Sequence, residues 1–313
     1  MAEKIATREA YGNALAEFGA KYENLVVLDA DLAAATKTST FKKAFPDRFF
    51  DCGIAENNMI NVAVGLSLSG KIPFASTFAM FAAGRSYEQI RNSVGYPHTN
   101  VKIGATHAGI TVGEDGATHQ CNEDIALMRT IPGMTILNPA DAVEARLAVE
   151  AAIKMQGPCY LRFGRMAVPV IFDKDYKFEI GRGVKLADGT DVSLIATGIE
   201  VEQALAAREL LAAEGISASV INIHTIKPLD EDLVVAEAQK TGAIVTCEEH
   251  SIIGGLGGAV AECLSAKCPT PVLRVGVEDT FGRSGPAKEL VSYFGLDAAA
   301  IAAKAKAAVA LKK

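Results

Sequence analysis

Two hydrophobic periods alternate along the first half of the chain. Residues 6–22, ATREAYGNALAEFGAKY, space apolar positions three and four apart and predict a helix. The next stretch, NLVVLDAD (24–31), is a continuous apolar run that reads as a buried strand leading into Asp29 and Asp31. RFFDCGI (48–54) and KIPFASTF (71–78) read as strands, and NMINVAVGLSLSG (58–70) between them as a buried helix closing on Gly70. AAGRSYEQIRNSVGY (82–96) predicts a helix and NVKIGATHA (100–108) a strand. DIALMRTIPG (124–133) and DAVEARLAVEAAIKM (141–155) predict helices around the strand MTILNP, and GPCYLRFGR (157–165) a further strand. Such βα alternation implies a mainly parallel sheet covered by helices on both faces.

After about residue 170 the pattern dissolves into mixed, Lys- and Asp-rich sequence, which reads as a linker over 171–189. A second βα series then runs from DVSLIATG (191–198) to PVLRVGVED (271–279). The expected architecture is therefore two doubly wound α/β domains, a larger one at 1–170 and a smaller, independent one at 190–313. Length agrees, since 313 residues suit two domains better than one.

Composition narrows the function class. Half of the residues are hydrophobic, 6% are aromatic and the net charge is −6. No basic patch marks a nucleic-acid binder, and the basic tail AAKAKAAVALKK reads as the end of an amphipathic helix. No apolar run is long enough to span a bilayer, and six scattered cysteines without a CxxC pair suit reduced thiols in a cytoplasmic protein. Neither cysteines nor histidines show the spacing of a zinc site.

Three places could carry chemistry. Glu56 stands at a strand-to-helix junction, where open α/β sheets place their sites; a helix-entry acid favoured by the helix dipole is the plainer alternative. ATHAGITVGEDGATHQ (105–120) gathers His107, Glu114, Asp115 and His119 in a glycine-rich loop after a strand. Phe78 and Phe81, in STFAMFAAGRSY (76–87), have core spacing but could wall a flat aromatic pocket. The run GGLGG (254–258) lacks the spacing of a nucleotide fingerprint and reads as a tight turn allowing close helix packing.

Taken in order, ATR (6–8), DAD (29–31), GIAENNM (53–59), STFAMF (76–81), the 105–120 loop and YLRFGR (160–165) resemble the pyrimidine-binding half of transketolases. TIKPLD (225–230), EEHSIIGGLGG (248–258) and EDTFGRSG (278–285) resemble that family's C-terminal domain. The resemblance implies that Glu56 hydrogen-bonds N1′ of the aminopyrimidine of thiamine diphosphate, in a desolvated site bordered by Ile54, Met59 and Ile60. It further implies that Phe78 and Phe81 line the pyrimidine pocket and that Asp31 lies near the cofactor and the subunit boundary. His107, Asp115 and His119 would contact donor hydroxyls and assist proton transfers, while Arg8 and Arg165 would hold the acceptor's phosphate. Two positions depart from the family pattern: Ala35 replaces a serine that assists phosphate binding, and Gly84 replaces an aromatic, for which Tyr87 could substitute.

The family's diphosphate-binding domain, with its GDG motif and Mg²⁺-ligating asparagines, has no counterpart in this sequence. The resemblance thus implies the C-terminal subunit of a split transketolase. Thiamine diphosphate and Mg²⁺ would be held mainly by a separate N-terminal subunit, in an α₂β₂ heterotetramer acting on sugar phosphates. A 1-deoxyxylulose-5-phosphate synthase, a 2-oxoacid dehydrogenase β subunit and a non-catalytic assembly subunit remain the alternatives.

Overall fold

A computed structural model describes residues 3–312. Its larger sheet has seven strands in the spatial order Thr225–Lys227, Thr135–Leu137, Cys159–Arg162, Lys102–Thr106, Ile72–Phe78, Leu25–Asp29, Phe49–Asp51. All neighbours run parallel except the first pair. The helices Thr7–Gly19 and Ala142–Lys154 pack on one face, over a core including Tyr11, Phe18, Phe74, Val149 and Phe163. The opposite face buries Met59, Ile60, Ala79, Ile125 and Tyr160.

The smaller sheet has five strands, ordered Val272–Val277, Ile244–Ser251, Val192–Ala196, Ala218–Asn222, Val184–Ala187. The last runs antiparallel, and it lies inside the stretch that reads as a linker. Helices cover both faces, the C-terminal Ala298–Ala310 among them, as the alanine-rich tail suggests. The fold is α/β in both sheets.

Four further elements differ from the sequence expectation. Thr225–Lys227, within the second βα series, leaves the smaller sheet and pairs with Thr135–Leu137 at the edge of the larger one, so the second domain is not independent. Lys4–Ala6 pairs antiparallel with Ala167–Pro169, tying the start of the chain to the end of the first domain. The expected helix over 82–96 is instead a short α-helical stretch, Tyr87–Gln89, between two wide π-helical turns, Met80–Arg85 and Ile90–Gly95. Finally, the helix Glu56–Leu68 is buried on one face only. Its inner side presents Met59, Ile60 and Ala63 to the core, while Val62 and Leu68 are 37% and 77% exposed.

A polar seam joins the domains. Buried Arg162 donates to Asp124 (2.8 Å) and to the backbone oxygen of Glu249 (2.8 Å), whose carboxylate accepts from Thr111 N (2.7 Å). Gly109 lies against that carboxylate at φ +75°, where a Cβ would collide with it. In the GGLGG run, the N–H groups of Leu256 and Gly257 bind the buried Glu248 carboxylate at 2.7 and 2.8 Å. That helix terminus holds an anion of its own chain, consistent with a packing role for its glycines.

Candidate functional site

The parallel register lines up four strand exits along one edge of the larger sheet, with Asp29 opposite both Asp51 and Ser76, and Phe78 opposite Thr106. Carboxyl edges of this kind hold the ligands of open α/β folds. At the first exit Asp29 is fully buried and accepts from Leu32 N (2.6 Å), Thr36 Oγ1 (2.7 Å) and Thr38 Oγ1 (2.8 Å). Burial pushes its carboxyl up to about 6 despite these donors. The clasp shapes the loop that carries Ala35 and Lys37, the latter at φ +70°. Asp31, at φ +62°, is exposed, and its N–H donates to Asp51 Oδ1 at 3.2 Å. Non-glycine residues in this region are uncommon and cluster where local structure over-determines them.

Glu56 opens the helix that follows the Phe49–Asp51 strand and is 1% exposed. Met59 and Ile60, three and four residues further along the helix, are fully buried, but Ile54 is 77% exposed and does not wall the site. Arg85, which the sequence reading missed, donates from Nη1 to Glu56 Oε2 at 2.7 Å. Its guanidinium also lies over the Phe81 ring, 4.6 Å from the centroid. Phe81 stacks on Phe78, with centroids 5.7 Å apart and planes 12° from parallel. Tyr87 does not replace the aromatic missing at Gly84; its hydroxyl pairs with Thr130 Oγ1 at 2.8 Å.

Phe78 stacks in turn on His107, at 3.8 Å between centroids. His107 sits at φ +56° just past the Lys102–Thr106 strand. Arg8 Nη1 lies 3.1 Å from its Nε2, and Thr106 Oγ1 lies 2.9 Å from its Nδ1. Because a guanidinium can only donate, Nε2 is the acceptor and Nδ1 carries the proton. Burial, then the charges of Arg8 and Arg165, push the imidazole down to about 3. Lys37 adds to the same field. The ring is therefore neutral at physiological pH and is no cationic acid.

The 105–120 loop turns through Gly113 (φ +87°) and Gly116 (φ +74°) and brings His119 edge-on to Phe81 at 5.4 Å. Its far side is anchored by Gln120 Nε2, which donates to the Arg283 backbone oxygen (2.9 Å) in the second domain. Arg165 reaches the Val112 backbone oxygen and Glu114 Oε2 (3.2 Å for the latter). Arg8 also donates to the Ala35 backbone oxygen at 2.8 Å, and its buried Nε has no hydrogen-bond partner among the described residues. Burial, followed by the nearby charge of Arg165, lowers the Arg8 pKa, and the charge of Glu9 offsets this only in part. Thus Glu56, Phe78, Phe81, His107, His119, Arg8 and Arg165 line one continuous edge. Asp115 stays at the exposed loop tip, and Asp31 contacts none of the others directly.

Residues 3–170 match the family model of the transketolase pyrimidine-binding domain. The chain belongs to the transketolase family. The transketolase C-terminal domain model matches residues 181–301. A protein of Methanocaldococcus jannaschii described as a transketolase C-terminal section is 52% identical, over 94% of this chain and 93% of its own length. A 6-deoxy-6-sulfo-D-fructose transketolase subunit from a Clostridium strain is 45% identical, over 93% and 90%. A solved split-gene transketolase, described as an inactive β4 tetramer, superposes with a TM-score of 0.92 at 53% identity, covering 99% of this chain and all of its own. Within the transketolase family, then, the chain is similar throughout to the C-terminal sections of split enzymes.

Among the described residues, no three His, Cys, Asp or Glu side chains form a metal-binding group. No helix of the described residues is long and apolar enough to cross a membrane.

Proposed function

We propose that this chain is the pyrimidine-binding subunit of a two-subunit, thiamine-diphosphate-dependent transketolase that moves a two-carbon ketol unit between sugar phosphates. The observation that carries the reading is the pairing of a buried acid, Glu56, with the stacked Phe78–Phe81 wall at one sheet edge. The fit to the cofactor has an internal indicator: a flat, nitrogen-rich group, the Arg85 guanidinium, already lies on Phe81 and donates to Glu56. Thiamine diphosphate, when bound, supplies a carbon nucleophile and electron sink for cleaving and forming ketose carbon–carbon bonds.

The chain's own residues divide the remaining work. Glu56 would fix the pyrimidine ring by a hydrogen bond strengthened by desolvation. Phe78 and Phe81 would exclude water from its faces, and Asp31 would border the pocket at the subunit boundary. His107, neutral and held in one tautomer, would orient sugar hydroxyls by hydrogen bonding rather than deliver a proton as an imidazolium. Proton movement at the sugar would fall to His119, with Asp115 closing over the substrate from the loop tip. Arg8 and Arg165 would take the acidic end of the sugar, and the relative named for a sulfonated sugar suggests that this end varies within the family.

The diphosphate and Mg²⁺ would be held mainly by a separate N-terminal subunit in an α₂β₂ heterotetramer. The half-exposed helix Glu56–Leu68, which begins at Glu56 itself, is the face we assign to that assembly. The relative described as an inactive β4 tetramer supports dependence on a second subunit. The test is reconstitution: this chain, alone or with the product of a neighbouring gene, is given thiamine diphosphate, Mg²⁺, xylulose 5-phosphate and ribose 5-phosphate. Heptulose phosphate should form only with both subunits present. Turnover by the carefully purified chain alone would overturn the two-subunit reading.

A further inference from the structure

Arg85 is the one charged group placed on the pyrimidine wall without a role in the reading above. Its position copies three features of the ligand proposed for that wall. It is planar, it lies 4.6 Å over the Phe81 ring, and it donates a hydrogen bond of 2.7 Å to the buried Glu56 carboxylate. Stacking of a guanidinium on an aromatic face, with a fork of N–H donors aimed at a carboxylate, is a favourable pairing. An aminopyrimidine would offer the same two residues a flat face and a ring nitrogen. A ring stacked on that face of Phe81 would take the place the guanidinium holds, and with it the Glu56 oxygen that Arg85 engages.

We propose that Arg85 is a resident plug of the pyrimidine pocket, a positioning residue that occupies Phe81 and Glu56 until the cofactor displaces it. The proposal rests on the pocket assignment given under Proposed function. Its physical logic starts from Glu56, which is 1% exposed; a buried carboxylate deprived of its partner destabilises the fold considerably. Arg85 satisfies that carboxylate while the pocket is otherwise unfilled. Arg85 itself is 48% exposed, so its side chain has an open path back to water. It stands at the end of a π-helical turn, directly after the exposed Gly84. Wide turns of this type recur at functional sites, where they re-aim side chains. Here the turn directs Arg85 back across the Phe81 ring towards Glu56.

The consequence is a competition. Binding of thiamine diphosphate includes breaking the Arg85–Glu56 pair, so removing Arg85 should tighten binding, whereas removing an ordinary contact would weaken it. The measurement is the dissociation constant of thiamine diphosphate for the reconstituted two-subunit complex, by equilibrium dialysis at fixed Mg²⁺, without substrate. Arg85→Met, which keeps an apolar stem over Phe81, should bind about five- to fifty-fold more tightly than the parent. Arg85→Lys, which restores the cation, should return binding to near the parental value. Glu56→Gln should bind more weakly, and adding Arg85→Met to it should recover little, because the plug has lost its anchor. Circular dichroism melts establish that each variant is folded, and Arg85→Gln replaces Arg85→Met should the latter prove unstable.

The outcomes separate the two levels of inference. If Glu56→Gln weakens binding while Arg85→Met and Arg85→Gln leave it unchanged or weaker, the plug is overturned and the pocket assignment stands. If Glu56→Gln binds thiamine diphosphate as the parent does, the pocket assignment fails, and the plug with it.

Discussion

His107 provides the sharpest test of the site's electrostatics. Its pKa falls from the ordinary 6.5 to about 3, chiefly through burial, with Arg8 and Arg165 adding to the effect. That difference corresponds to on the order of 5 kcal/mol against protonating the ring in place. At pH 6 only about one molecule in a thousand would carry the imidazolium. The folded state binds this proton less readily than the unfolded chain. The contribution to stability is therefore fully present above pH 6.5 and is lost progressively as pH falls towards 3. The assay is a nitrogen-15 NMR titration of the histidine side chains, with His107→Asn used to assign the resonance. The shifts should stay flat from pH 8 to pH 5 and report the Nδ1–H tautomer, because Arg8 donates to Nε2. Arg8→Met removes that donor and a nearby charge and should move the midpoint upward, though not to 6.5, since burial remains the larger cause. A native midpoint above pH 5.5, or an Nε2–H tautomer, would refute the account of this pocket.

Two further expectations concern substrate and assembly. Arg8→Ala and Arg165→Ala should raise KM for phosphorylated acceptors about ten- to a hundred-fold, the loss of one charge-assisted hydrogen bond, and affect unphosphorylated acceptors far less; equal losses with both acceptor types would remove these arginines from the anion site. A charge at Val62, on the open face of the Glu56–Leu68 helix, should prevent heterotetramer formation while leaving circular dichroism unchanged, whereas at Val64, which packs against the core, fold and assembly would be confounded. Sedimentation of Val62→Glu as an intact heterotetramer would exclude this face from the interface.

The legible parts of the molecule were those written in long periodic runs. Every helix of eleven or more residues lies in a stretch whose spacing predicts one, apart from the C-terminal helix, of which only the basic tail was read. The strand exits followed from the continuous apolar runs. Glu56 was visible because a lone acid opening an apolar helix is conspicuous. Three-residue strands such as Lys4–Ala6, Ala167–Pro169 and Thr225–Lys227 span too few positions to show a period. Their partners are set by tertiary packing, which local sequence does not encode. Arg85 was hidden for a related reason. In an α-helix running through 82–96 its direction would follow from a turn of 3.6 residues, but the π-helical turn at Met80–Arg85 changes that phase. The Glu56–Arg85 pair is thus a product of the backbone irregularity rather than of spacing.

The excursion of Thr225–Lys227 into the larger sheet makes the chain divisible on paper and indivisible in space. A cut near residue 180 would satisfy both domain patterns in the sequence, yet it would strip Thr135–Leu137 of the neighbour that covers one of its sides. The amides and carbonyls so uncovered would form a bare margin able to recruit strands from other molecules. The three residues of that small detour thereby work as a latch, which engages only when the later sequence has been made and has folded back. A rearrangement of genes that parted the two halves of the latch would leave that margin to be covered by pairing between chains.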